Sequence, residues 1–309
     1  MEVKKYYKDI DLIRLFSCIA VLLYHLNILN GGYLAVCIFF VISGYLSCVS
    51  LFKKNKISLK DYYKNRLIKL YLPLLIVVFV SISIISLFPS INWFNLKNET
   101  TSVLLSYNNF WQLSANLDYF QRHTSSPFVH FWYISILFQF DLVFPFIYMF
   151  IKKIESKTNK YFVCALSIIV SIASTIYFYI VSLNGNVMFS YYNTFSRIFS
   201  LLFGVSLGLV HSYFGNIVPS YITKNSTKNK VITAYLFLLT YLFIFIDGSF
   251  KYSAISMIAV SLISCRLIEY ATMDDDTNLN IFRKIVKSLS SISYEIYLIQ
   301  YPVIFLFQS

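Results

Sequence analysis

Residues 11–46 read DLIRLFSCIAVLLYHLNILNGGYLAVCIFFVISGYL and contain two apolar runs separated by Gly31 and Gly32. A run of about 20 apolar residues is long enough to cross the hydrocarbon core of a bilayer as an α-helix. The paired glycines predict a tight turn, so the two runs form a helical hairpin. The first run also contains Arg14 and His25, which are residue types that are costly inside a bilayer.

The rest of the chain has a similar composition. Of its 309 residues, 58% are hydrophobic and 13% are charged, and the mean hydropathy is +0.65. Soluble domains have about 45–50% apolar and about 25% charged residues. The sequence therefore predicts an all-α fold, a polytopic transmembrane helical bundle in one domain over residues 1–309. The expected spans are 11–29, 33–52, 70–88, 130–151, 161–183, 192–211, 231–247, 250–268 and 289–308.

The chain ends directly after the ninth run, which leaves room for a further return helix, so we expect about nine to ten spans. The segments expected on the inner side, 1–14, 53–69, 152–160, 212–230 and 266–287, hold 22 of the 26 Lys and Arg residues. The other four are Lys97, Arg122, Arg197 and Lys251. This asymmetry predicts a cytoplasmic N-terminus. The net charge of +12 is then concentrated on loops that face anionic membrane lipids, and we do not expect a nucleic-acid partner.

Arg14 and His25 are 11 residues apart, which places them on one stripe of the first helix about 16 Å apart along its axis. An ionisable group inside a span is a candidate functional residue. Two alternatives stay open: Arg14 as an interfacial anchor and His25 as a hydrogen-bonded packing residue. In the second run, Ser43 can hydrogen-bond across a helix contact, and Gly44 permits close helix packing.

A basic segment precedes the third span. It holds seven Lys and Arg residues within 53–69, followed by Pro73. Arg66 and Lys69 are three residues apart and would share one face of an α-helix. This pattern indicates either a topogenic loop that faces lipid or a site for a ligand with several phosphates.

Other polar residues lie towards the predicted outer side. SVLLSYNNFWQL, residues 102–113, predicts a short re-entrant or interfacial segment. His130 and Trp132 mark an outer interface, and Gln139 and Asp141 lie deeper in the same span. A buried acid needs a partner, and Arg197 is a candidate for pairing with Asp141. The four histidines and five cysteines lack the spacing of metal ligands, so we expect no metal site.

These motifs resemble the membrane-bound acyltransferase-3 family, which includes bacterial O-acetyltransferases of polysaccharides and peptidoglycan. Arg14 and His25 match the family's Arg, ten residues, His signature, and FFVISGYL at 39–46 matches its second helix. Arg66 and Lys69 fall on an Arg-x-x-Arg pair. The remaining matches are NNFWQLSANLDYF at 108–120, HFWYISILFQF at 130–140, Arg197 to Gly204, and SYEIYLIQYPV at 293–303.

The resemblance implies an integral O-acyltransferase of the bacterial cytoplasmic membrane. It would move an acetyl group from cytoplasmic acetyl-CoA to a hydroxyl of an extracytoplasmic surface glycan. Arg14, Arg66 and Lys69 would hold the phosphates of the donor. His25 would be catalytic, as a general base or as a nucleophile. The residues expected to bind substrate are Ser43, His130, Trp132, Gln139 and Arg197.

The chain departs from the family pattern at three positions. Lys69 replaces an arginine and keeps the charge, whereas Leu137 and Gln300 stand where many members have a glutamate and a histidine. Two alternative functions are a transporter or flippase of a glycan precursor and a catalytically silent scaffold. Transporters commonly carry an inverted repeat, and the hydropathy shows none.

Overall fold

The fold is helical throughout the residues that the computed structural model describes, which are 7–52, 58–87, 96–115, 126–185, 187–218, 225–246, 250–273 and 281–308. Within these ranges no strand is present. The helices, in chain order, are α1 (Lys8–His25), α2 (Ala35–Phe52), α3 (Leu59–Arg66), α4 (Leu72–Ile85), α5 (Leu96–Leu104), α6 (Asn108–Ser114), α7 (Trp132–Lys157), α8 (Lys160–Leu183), α9 (Val187–Tyr192), α10 (Thr194–Phe214), α11 (Asn225–Phe245), α12 (Phe250–Ala271), α13 (Ile281–Ser291) and α14 (Ser293–Gln308).

Seven helical segments among the described residues are long and apolar enough to cross a membrane. They are Gly32–Phe52, Leu59–Ile85, Val129–Lys157, Lys160–Leu183, Thr194–Phe214, Thr227–Phe245 and Tyr252–Ala271. The all-α membrane bundle is therefore confirmed. Helices α1 and α14 fall outside this set, because α1 carries four charged residues and α14 has 16 residues. Nine to ten spans and a cytoplasmic N-terminus stay predictions.

Helices α2 and α10 cross at the centre of the bundle through glycines. A Cβ on Gly44 would collide with the backbone carbonyl of Leu201, and a Cβ on Gly204 would collide with the carbonyl of Val41. Gly208 lies one turn further along α10 against Cys48. Glycines four residues apart let two membrane helices approach closely. The packing role predicted for Gly44 is confirmed.

A buried charge cluster joins α1 to α11 and α13. The Asp9 carboxylate is fully buried and pairs with Lys228 at 2.8 Å and with Arg283. The Lys228 side chain is also fully buried. This cluster fixes the first turn of α1, and with it the direction in which α1 carries Arg14 and His25.

Two short helices, α5 and α6, pack over one end of α7. Glu99 on α5 is buried and accepts hydrogen bonds from the Ser126 hydroxyl and, at 3.2 Å, from the Phe128 amide. Asn108 and Asn109 at the start of α6 are also buried. The predicted segment 102–113 thus folds as two short helices. The Asp-Tyr-Phe element at 118–120 lies outside the described residues.

Candidate functional site

His25 is the last residue of α1 and is only 8% exposed. Helix α1 ends there because Asn27 takes a left-handed backbone conformation with φ 61°, which ends the helical hydrogen-bond pattern. The imidazole ring lies edge-on to the ring of Tyr301, with a centroid distance of 4.8 Å. The His130 ring lies 6.4 Å away. A second histidine therefore joins the one that the sequence singled out as catalytic.

His130 lies in a short 3-10 turn, Val129–Phe131, that leads into α7. It is fully buried, and α14 contacts it at two points. Its Nε2 is 3.2 Å from the carbonyl oxygen of Leu298, and the Tyr297 hydroxyl donates to the His130 carbonyl at 2.8 Å. The sequence reasoning missed Tyr297 and Tyr301, although their four-residue spacing in SYEIYLIQYPV was a signal that both rings share one helix face.

Arg14 lies on α1, three turns before His25. Its guanidinium is 3.8 Å from Asp11, and its side chain is 37% exposed. It also lies within electrostatic range of Arg66 and of Tyr133. Guanidinium groups bind phosphate oxygens in a bidentate manner, so two of them near each other can hold one phosphorylated ligand.

Arg66 is the last residue of α3 and is anchored by polar side chains from other helices. It donates to the Ser47 hydroxyl at 2.6 Å and is 3.2 Å from the Asp141 carboxylate. Tyr62 also donates to Asp141, at 3.1 Å. The partner of Asp141 is therefore Arg66, and the pairing with Arg197 suggested by the sequence is wrong. Contacts between distant helices are not encoded in local spacing.

Lys69 is exposed and lies in a π-helical turn, Leu67–Tyr71, between α3 and α4. The prediction that it shares a face with Arg66 assumed 3.6 residues per turn. A π turn has more residues per turn than an α-helix, so a spacing of three residues does not by itself place the two side chains on one face. Arg66 joins the buried network and Lys69 faces outwards.

Ser43 and Tyr133 connect the arginines to the histidines. The hydroxyls of Ser43 and Tyr133 lie near each other, and Tyr133 lies within electrostatic range of Arg14. The Tyr133 ring is 5.4 Å from that of Tyr297, which in turn holds His130. The column formed by Ser43, Tyr133 and Tyr297 thus lies between Arg14 and the histidine pair.

Arg197 and Trp132 belong to a separate, fully buried cage. The guanidinium carbon of Arg197 lies 5.5 Å from the Trp132 ring centre, 5.0 Å from that of Tyr191 and 5.8 Å from that of Phe40. Its nitrogens donate to the sulfurs of Met257 and Cys37. Among the residues described, no carboxylate pairs with Arg197. The aromatic rings stabilise its charge by cation–π attraction.

Gln139 connects three elements through its side-chain amide. The amide nitrogen donates to the Ser106 carbonyl at 2.8 Å and to Asn109 at 2.9 Å. Its oxygen accepts from Thr194 at 2.5 Å. All of these bonds go to the protein, so the geometry describes a brace between α6, α7 and α10.

An apolar groove of about 780 Å³ lies between α1 and α14, beside His25. Its lining includes Leu22 and Leu26, which flank His25 in the sequence, and Ile296 and Ile299 of α14. Gln300 also lines it and is 6% exposed, and its amide has no hydrogen-bond partner within the described part of the chain. The described residues include no group of three metal-ligating side chains.

Comparison with known proteins gives a family and several relatives. The profile of the family described as "Acyltransferase domain" matches residues 7–309. "O-acetyltransferase OatA" of Staphylococcus aureus strain NCTC 8325 is 28% identical over 236 residues, which are 74% of this chain and 38% of the relative. "Putative O-acetyltransferase SACOL0978" of S. aureus strain COL is 30% identical over 213 residues, 67% of this chain and 35% of the relative.

The chain thus spans well under half the length of these relatives, and no solved structure matches it significantly. The family match covers nearly all of the chain, including α1 with its Arg14 and His25 and the α14 motif that holds His130. The resemblance predicted from the motifs is confirmed, and the chain belongs to the acyltransferase domain family.

Proposed function

We propose that this chain is an integral membrane O-acetyltransferase of the bacterial cytoplasmic membrane. It moves an acetyl group from cytoplasmic acetyl-CoA to a hydroxyl of an extracytoplasmic surface glycan. The observation that carries the proposal is the pair of buried histidines, 6.4 Å apart, inside a bundle of membrane-competent helices. A buried imidazole beside reacting groups serves proton transfer or nucleophilic attack.

The donor would bind at the end of the column that holds Arg14 and Arg66. Both are cations close to each other, and guanidinium groups bind phosphate oxygens in a bidentate manner. Lys69, exposed in the same segment, would add positive charge at the entrance. The residues present therefore fit a ligand with several phosphates, such as coenzyme A.

The acetyl group would reach His25 along the column through Ser43 and Tyr133. The axial distance from Arg14 to His25 is about 16 Å, which is comparable to the length of a pantetheine arm. His25 acts there on the thioester, and the acceptor hydroxyl approaches from the side of His130. The cage of Trp132 and Arg197 lies next to this acceptor side, with Gln139 bracing the helices that form it.

The test uses membranes that contain the wild type, His25→Ala or His211→Gln. His211 lies in the last turn of α10, where its Nδ1 is hydrogen-bonded to the Tyr45 hydroxyl at 2.7 Å. It is the matched control. Base-labile acetate on the host's surface glycan is measured, with protein levels checked by blot. We expect ester with the wild type and with His211→Gln, and a fall of about 100-fold or more with His25→Ala.

Equal ester content in the wild type and His25→Ala, above a vector background, would show that His25 is a packing residue. The side of donor binding is tested with sealed vesicles of opposite orientation, because acetyl-CoA does not cross membranes. Transfer only in inside-out vesicles is expected. Transfer only in right-side-out vesicles would contradict the cytoplasmic donor site.

A further inference from the structure

Pro302 lies inside α14, which runs from Ser293 to Gln308. Proline has no backbone N–H, so it removes the helical hydrogen bond to the carbonyl four residues earlier. That carbonyl belongs to Leu298. Pro302 therefore leaves the oxygen of the fully buried Leu298 without its helical i+4 donor, and a buried carbonyl group needs a hydrogen-bond partner.

The side chain of His130 supplies that partner. Its Nε2 is 3.2 Å from the Leu298 oxygen. A carbonyl oxygen only accepts, so in the neutral ring the proton must be on Nε2. This contact fixes the tautomer, and it leaves Nδ1 as the unprotonated nitrogen with a free electron pair.

Nδ1 of His130 is enclosed and has no hydrogen-bond partner among the described residues. A histidine that only packs usually has both ring nitrogens satisfied, because an unpaired buried polar atom is costly. Here Nε2 of His130 is anchored, and Nδ1 has no partner among the described residues. The ring centres of His130 and His25 are 6.4 Å apart. This is the arrangement of an oriented base.

We propose that His130 is the base that accepts the proton of the acceptor hydroxyl, and that Pro302 is a positioning residue that fixes its tautomer through the Leu298 carbonyl. The inference rests on the proposed acetyltransferase function. With the base assigned to His130, His25 is the nucleophile that carries the acetyl group between donor and acceptor.

Two balanced steps follow. In the first, a nitrogen of His25 bonds to the acetyl carbon and the carbon–sulfur bond breaks. The sulfur keeps that electron pair and takes the proton displaced from His25, so free thiol leaves. In the second, the acceptor oxygen bonds to the acetyl carbon and its proton moves to Nδ1 of His130. The bond from the acetyl carbon to His25 breaks, and the His25 nitrogen receives the proton from His130, which regenerates both rings.

The experiment compares the wild type, His130→Gln, Pro302→Ala and Pro145→Ala in purified membranes supplied with acetyl-CoA. Glutamine keeps a donor near the Leu298 oxygen and is not a base. Alanine at 302 restores the N–H that competes for that oxygen. Pro145 is the matched control, since it also lies inside a long helix and, among the described residues, no histidine is bonded to the carbonyl it frees. The readouts are free thiol, glycan acetate ester and thermal stability.

With His130→Gln we expect a burst of about one thiol per enzyme followed by ester formation slowed by about 10²-fold or more. Pro302→Ala should keep the burst and its thermal stability, and slow ester formation by about 10-fold or more. Pro145→Ala should form ester at the wild-type rate. A structural role for Pro302 would not separate the burst from the transfer in this way.

Wild-type transfer by His130→Gln or Pro302→Ala would overturn the inference. The inference would also be overturned if His130→Gln lost the thiol burst to the same extent as it lost ester formation. These results are distinguishable from failure of the proposed function, in which the wild type itself releases no thiol and forms no ester.

Discussion

At the scale of single residues, Arg197 shows how a membrane protein keeps a cation buried. The described residues offer it three aromatic rings and two sulfurs. Each cation–π contact contributes about 0.5–2 kcal/mol, which together offset part of the cost of removing the charge from water. The sequence identified Arg197 as unusual, because a charge in an apolar run is rare. It did not identify the ring partners, because Phe40 and Trp132 come from helices that are distant in the sequence.

Glu99 gives a prediction at the same scale. Burial raises the pKa of its carboxyl group to about 8, and the hydrogen bonds from Ser126 and Phe128 only partly oppose that shift. In the unfolded chain the pKa of this carboxyl group is near 4.5. Between that pH and about pH 8, the folded protein thus keeps Glu99 protonated. Its contribution to stability is complete below about pH 4.5 and is lost as the pH rises through 8.

We therefore expect Glu99→Gln to flatten the decline of stability between about pH 4.5 and about pH 8, since glutamine stays neutral. The slope removed is at most about 1.4 kcal/mol per pH unit for one proton. Thermal melts in detergent across this range measure the effect, with Asp61→Asn, a change at an exposed residue of α3, as the control. Parallel pH profiles for the wild type and Glu99→Gln would contradict the buried, protonated carboxyl.

At the scale of elements, the local sequence signals explain where helices start and end. Ser58 and Asn159 cap α3 and α8 with their side chains, as their residue types lead one to expect. The π turn at Leu67–Tyr71 was not predictable, because it has no characteristic residue pattern. It removes the basis for expecting Arg66 and Lys69 to share one α-helical face. Tertiary contacts, rather than local propensity, set this kind of irregularity.

The Asp9 cluster gives a prediction for the packing of α1. Asp9→Asn leaves Lys228 buried without its carboxylate, and breaking a buried pair costs about 3–5 kcal/mol. We expect a large drop in the yield of folded protein and in its melting temperature. The double variant Asp9→Asn, Lys228→Met should recover part of the loss, because it removes the buried Lys228 charge, whereas Arg283 still loses its pairing with Asp9. Size-exclusion profiles and thermal melts in detergent measure the yield of folded protein and its melting temperature. A double variant with the same yield and melting temperature as the single variant would rule out the ion pair as the cause.

At the scale of the whole molecule, hydropathy and charge predicted most of the architecture. Apolar runs have lengths fixed by the bilayer, so seven predicted spans correspond closely to membrane-competent helices, such as 161–183 and the observed Lys160–Leu183. The candidate site could be predicted only in part. His25 and His130 were identified separately, but their meeting depends on how α14 packs between α1 and α7, which no local pattern encodes.

The predicted topology is testable with single cysteines at the two ends of α8. Thr158 and Asn184 are both exposed, and an N-terminus in the cytoplasm places Thr158 inside and Asn184 outside. A membrane-impermeant maleimide should label Asn184→Cys on intact cells and Thr158→Cys only after permeabilisation. The native cysteines give little background, since four are buried and Cys265 is half-buried. The opposite labelling pattern would invert the orientation and remove the cytoplasmic donor site.

The glycine contact between α2 and α10 has a consequence for how this chain can evolve. Every amino-acid-changing mutation of a glycine codon adds a Cβ, and at Gly44 and Gly204 that atom would overlap backbone of the facing helix. Neither helix can relieve the overlap by changing a side chain. We therefore expect selection to keep glycine at these two positions, whereas an outward-facing residue such as Phe79 is free to drift among apolar residues.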